Sequence, residues 1–163
     1  MTRLFVAIWP PDEVLDALAD LPQPRDPGVR WIAREQRHIT LRFFPDANPD
    51  AVIDALDHIE LPPATAQLGP AVDVLGERSL VIPVGGLDDL AAVVDRATRC
   101  DAPSRRRFVG HLTVARLNRR ARPQRSVGMR FAATFTVARV ALVHSDLQPT
   151  GAVYETIATW PTR

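Results

Sequence analysis

The stretch RHITLRF, residues 37–43, returns in altered form as GHLTVAR over residues 110–116. Both read as strands, with branched and aromatic residues alternating with polar ones. Successive side chains of a strand point to opposite faces, so His38 and Thr40 share one face while Ile39 and Leu41 share the other. His111 and Thr113 stand in the same relation to Leu112 and Val114. Each motif therefore has an apolar back suited to a core and a polar front. The chain has 163 residues and only four histidines, and two of these fall in the repeat. Such a repeat predicts two similar halves that bring two imidazoles and two hydroxyls around one point.

Outward from the motifs, RLFVAIW (3–9) reads as a first strand, and Pro10-Pro11-Asp12 opens a helix to about Leu21. VRWIA (29–33) is short and extended. Asn48-Pro49-Asp50 starts a second helix, to about Ile59, with a capping side chain, a first-turn proline and an acid at the positive end of the dipole. Extended stretches follow at about 66–75 and 79–84 around the turn Gly76-Glu77-Arg78. Residues 87–100 form an amphipathic helix. The remainder reads as a basic loop (101–107), a strand (108–117), a second basic loop to about 129, and strands near 131–144 and 152–158. Strands and helices mix without strict alternation, which predicts an α+β fold with largely antiparallel sheets. Asp12, Asp50 and Asp88 read as helix-start residues.

The length, residues 1–163, suits a single domain or two small lobes that share an interface. Apolar runs fall short of the roughly 20 residues needed to span a bilayer, and MTRLFVAIWPPDEV has no small-residue cleavage site. A soluble, cytoplasmic monomer is expected. The single Cys100 excludes an internal disulfide and any CxxC cluster. Net charge is +1, but no Asp or Glu occurs between Ala102 and Ser145, where Arg105, Arg106, Arg107, Arg116, Arg119, Arg120, Arg122, Arg125, Arg130 and Arg139 all lie. This asymmetry points to an anionic substrate or polyanion partner. All 20 basic residues are Arg, so coding bias is the competing explanation.

Two histidines with an ordinary pKa of about 6.5 can act as base and acid near neutral pH. Two hydroxyls can donate to oxygens that gain charge. An in-line displacement at a phosphodiester uses all four groups. Zinc would need three or four ligands, and neither motif carries a Cys, Asp or Glu on the histidine face. His58 and His144 read as surface or packing residues, so no metal and no other cofactor is expected.

The paired motifs resemble the HxTx signature of the 2H phosphoesterase superfamily. The flanks RLFVAIWPP, VRWIAREQRHITLRFF, FVGHLTVAR and VALVHSDLQPTGAVYETI are similar to those of the RNA 2′,3′-cyclic phosphodiesterases, the LigT- or ThpR-like family. The resemblance implies two pseudo-twofold lobes of antiparallel sheet with flanking helices and a cleft between them. It implies opening of an RNA 2′,3′-cyclic phosphate end to a 2′-phosphate, and in some members reverse 2′-5′ ligation. His38 would be the proton donor, His111 the proton acceptor, and Thr40 and Thr113 would bind the phosphate. Near-symmetry leaves the two histidine roles interchangeable on the sequence alone. Arg42, Arg116, Trp31 and Tyr154 are candidate substrate contacts. Two alternatives stay open: a 2H enzyme for a small nucleotide, such as a cyclic ADP-ribose phosphate or a 2′-5′ oligonucleotide, and a non-catalytic RNA-binding module.

Overall fold

The computed structural model describes residues 2–99 and 107–163. Cys100, Arg105 and Arg106 lie outside the described residues. The first half runs β1 (Thr2–Ile8), α1 (Asp12–Ala19), β2 (Val29–Trp31), a 3₁₀ turn (Arg34–Gln36), β3 (Ile39–Ala47) and α2 (Pro49–Asp57). The second runs β4 (Thr65–Leu68), β5 (Asp73–Leu75), β6 (Ser79–Gly85), α3 (Asp88–Ala97), β7 (His111–Leu117) and β8 (Ala133–Thr136). The chain then returns to the first half through β9 (Arg139–Gln148) and β10 (Gly151–Pro161). The strands pair antiparallel in the order β10-β9-β1-β3-β7-β6-β4-β8, with β2 on β7 and β5 on β6.

Local chemistry explains most of these elements. The Asn48 side chain accepts a hydrogen bond from the Asp50 N–H at 2.9 Å, with Pro49 as first helical residue. The helices bury Val14 and Leu18, Val52 and Leu56, and Leu90, Ala91 and Val94. These side chains join Leu4, Val6, Ile8, Ile39, Leu80, Ile82 and Leu112 in one core shared by both halves. Each fully buried Leu or Ile contributes about 1.5–3 kcal/mol.

The stretch expected as one strand over 66–75 is two strands, parted at Gly69-Pro70. Gly69 has φ +120°, and a Cβ there would lie 2.2 Å from the Phe131 carbonyl oxygen, so only glycine lets the chain turn this close. The 131–144 stretch also divides, into β8 and β9, because the chain changes partners: β8 pairs with β4, and β9 pairs with β1 and β10. The first helix ends at Ala19, two residues short of the expected Leu21, and the last strand runs on to Pro161.

One contact organises the molecule. β3 and β7 meet at a single register pair, Ile39 opposite Leu112. In an antiparallel pair this sets Thr40 across from His111 and His38 across from Thr113, so a local twofold passes between Ile39 and Leu112. Both strands then bulge at the same motif position. Register shifts leave Leu41 extra between Ala7↔Thr40 and Val6↔Arg42, and Val114 extra between Val81↔Thr113 and Leu80↔Ala115. A bulge reverses the alternation beyond it. Phe43 and Arg116 therefore come to the His-Thr face, while Arg42 and Ala115 turn to the back.

Candidate active site

His38 stands just before β3, fixed from two sides. Its Nδ1–H donates to the Gln36 carbonyl at 2.7 Å, since a carbonyl can only accept. In the neutral ring Nε2 is then the acceptor, and the Thr40 hydroxyl donates to it at 3.0 Å. The ring stacks on Phe5 with centroids 4.6 Å apart and meets the edges of Trp9 at 5.5 Å and Tyr154 at 5.4 Å. Phe5, Ala7, Ala141 and Val143 form a small apolar cluster on this face, with Trp9 and Tyr154 packed against it. Burial among these rings pushes the His38 pKa down, and the Arg116 and His111 charges act in the same direction.

His111 repeats the orienting bond. Its Nδ1–H donates to the carbonyl of Val109, again two residues upstream, at 2.7 Å. The same tautomer therefore presents Nε2 from both histidines. The surroundings differ. Opposite His111 on β6 is Pro83, where the first half has an aromatic wall. Gly110 lets the strands close here: a Cβ on it would stand 2.1 Å from Val84 O, which belongs to the residue whose N–H donates to Gly110 O.

His38, Thr40, His111 and Thr113 line one cavity of about 730 Å³, together with Arg3, Arg30, Trp31, Gln36, Arg116 and Tyr154. No carboxylate is among its described lining residues. Arg116 reaches the cavity because of the Val114 bulge, and its Nη1 donates to Ser79 Oγ at 3.0 Å. Arg42 does not line it. Its guanidinium is held on the α3 side by Asp95 Oδ1 at 3.2 Å, by the Asp95 carbonyl at 2.8 Å and by Thr98 Oγ1 at 3.0 Å. Trp31 and Tyr154 both face the cavity, but the Trp31 indole N–H donates to Pro24 O and Tyr154 is part of the wall around His38.

Reading the sequence did not single out Arg3, Arg30, Gln36, Phe5 or Trp9. Period-two spacing in RLFVAIW was the available signal for Phe5 and Trp9, whereas Arg30 had none, since its place depends on pairing with Arg116 far along the chain. The Gln36 amide donates to the Ala152 carbonyl, tying the 3₁₀ turn beside His38 to the end of β10. His58 is a surface residue whose pKa is raised by its bond to the Asp54 carbonyl and by the Asp54 carboxylate. His144 sits on β9 opposite Leu4 and Glu155. Among the described residues no cluster of three or more His, Cys, Asp or Glu could hold a metal ion, and no helix is long and apolar enough to cross a membrane.

No family profile and no curated protein matches the chain. Solved structures do. One described as a phosphoesterase is 20% identical, with 99% of each chain covered and a TM-score of 0.76. LigT of E. coli complexed with phosphate is 22% identical over 99% of this chain and 98% of its own, at a TM-score of 0.74. The fold is that of the LigT-like phosphoesterases. The PDE domain of MHV ns2 is more distant, 17% identical over 87% of this chain with a TM-score of 0.56. E. coli LigT has also been crystallised with NADP+, 3′-AMP and ATP. In this chain the LigT-like sheet carries both His-x-Thr strands at its centre, with all four polar side chains on one cavity.

Proposed function

We propose that this chain is a 2H phosphoesterase of the RNA 2′,3′-cyclic phosphodiesterase family, a single bilobal domain that opens the cyclic phosphate to a 2′-phosphate without a metal. The observation that carries this reading is the Ile39–Leu112 pair, which brings two imidazoles in one tautomer and two hydroxyls to one cavity. The arginines lining that cavity suit an anion, and the nucleotide complexes of E. coli LigT agree with a nucleotide ligand.

His111, half-buried where two cavities meet, is open to water and acts as proton acceptor. As water's oxygen bonds to phosphorus, its proton passes to His111 Nε2. The phosphorus–O3′ bond breaks in line, and O3′ takes a proton from His38 Nε2. Thr40 and Thr113 donate to the non-bridging oxygens, and Arg116 offsets their charge. Burial makes protonated His38 a strong acid, which suits a poor alkoxide leaving group. The charge of the bound phosphate is what loads that proton onto a ring that desolvation keeps neutral.

The test is turnover of the four nucleoside 2′,3′-cyclic monophosphates with chromatographic identification of the product. Nucleoside 2′-monophosphate is expected, undiminished by EDTA. Exclusive 3′-phosphate would reverse the leaving oxygen, and loss of activity to EDTA with recovery on added zinc would overturn the two-histidine mechanism.

A further inference from the structure

The cavity extends beyond the four motif side chains, and its outer part is cationic. Arg30 on β2 is registered directly opposite Arg116 on β7, so the two guanidinium-bearing side chains share a face. Like charges directly opposite across a strand pair are destabilising. Among the described residues neither arginine has a carboxylate partner, whereas Arg34, Arg42, Arg99 and Arg125 all do. Arg3 lines the same space with its guanidinium 4.6 Å over the Phe43 ring. Val114 is the extra residue of the bulge, so Arg116 lies two ladder positions from Thr113, about 7 Å along β7. A phosphate held between the threonines and met by Arg116 leaves the Arg30 side of the pair open to a second anion.

From these observations we infer that Arg30, with Arg116, forms a second anion subsite for a phosphate on the 5′ side of the nucleoside whose cyclic phosphate is opened. The inference rests on the proposed activity and narrows it. The preferred substrate carries at least two phosphates, as an RNA end or a 5′-phosphorylated nucleoside 2′,3′-cyclic phosphate does. Arginine presents a planar fork that holds phosphate oxygens in pairs, and a bound anion would relieve the repulsion between the two side chains.

The test compares adenosine 2′,3′-cyclic phosphate with and without a 5′-phosphate, in the wild type and in Arg30→Gln. A charge-assisted contact of this kind predicts roughly tenfold higher kcat/KM for the 5′-phosphorylated compound. Arg30→Gln should remove most of that advantage, and Arg30→Lys should keep part of it. Direct binding of adenosine 2′,5′-bisphosphate and adenosine 2′-monophosphate gives the same comparison without turnover. If neither cyclic compound is turned over but the bisphosphate still binds tighter through Arg30, the proposed activity fails and the subsite stands. Equal affinities in the wild type, or an Arg30→Gln variant that weakens both ligands equally, would overturn the subsite.

Discussion

The two His-x-Thr strands have the same backbone plan and opposite surroundings. Each histidine donates Nδ1–H to the carbonyl two residues upstream, and each strand bulges one residue after the threonine. In the sheet registers Phe5 is paired with Phe43, and Ser79 with Arg116. The twofold thus matches an aromatic pair beside His38 to a hydroxyl–guanidinium pair in the second half. One half desolvates its imidazole, and the other supplies charge and access to water. The backbone alone would allow the two histidines to exchange roles; the different side chains next to them are what support the proposed division.

Breaking either histidine should have the largest effect. His38→Ala and His111→Ala are each expected to lower kcat by about 10²–10⁴-fold while circular dichroism shows an intact fold. Thr40→Ala and Thr113→Ala should cost less, since each removes one donor and leaves the proton transfers in place. Turnover of a variant lacking one histidine at near wild-type rate would remove that residue from the mechanism.

Gly110→Ala probes the second half alone. The new Cβ would meet the Val84 carbonyl and displace the start of β7, and misplacement of a reacting group by about 1 Å costs on the order of 10²-fold in kcat. Stopped assays on the folded variant check this, and near-normal turnover would mean that the His111 backbone tolerates the shift.

The arginines come next. Arg116→Gln is expected to lower kcat/KM roughly tenfold or more by removing a charge-assisted contact to the phosphate. Arg42→Gln should instead cost stability of about 1 kcal/mol, visible in urea unfolding, because its partners are Asp95 and Thr98. Equal kinetic effects from the two substitutions would contradict the assignment of faces by the bulges.

The smallest expected effect is in pH. Burial lowers the His38 pKa, so the acid limb of kcat/KM should lie below the ordinary histidine value of about 6.5. It does so whichever histidine is the donor, because the lower of two coupled values sets that limb. Trp9→Ala admits water to the ring, raises the pKa and moves the limb to higher pH. The same shift makes His38 a stability term. Below about pH 6.5 the unfolded chain takes up a proton that the folded chain resists, so stability falls as pH drops toward the lowered folded value. An acid limb unmoved in Trp9→Ala would show that the aromatic wall does not set the His38 pKa.

Much of this was legible in the sequence because period two is a local signal. It placed His38 and Thr40 on one face and separated them from Ile39 and Leu41, while the equally local Asn48-Pro49-Asp50 identified the helix cap. It failed beyond the threonines, where a bulge reverses the faces. Arg42 and Arg116 both read as candidates in the sequence, one at the fourth position after its histidine and one at the fifth, and the extra Leu41 and Val114 exchange the faces that period two alone would give them. Arg30 was illegible for another reason. Its significance depends on pairing with a strand far along the chain, and nothing in VRWIA reports that partner.

The most direct test of the division of roles uses a nucleoside 4-nitrophenyl phosphodiester, whose phenolate departs without needing a proton. On this substrate His38→Ala should recover to within about tenfold of the wild type, since only the donor has become dispensable, while His111→Ala stays impaired by about 10²–10⁴-fold as on the cyclic nucleotide. Recovery of His111→Ala instead of His38→Ala, or no recovery of either, would contradict the assignment of His38 as proton donor and His111 as proton acceptor.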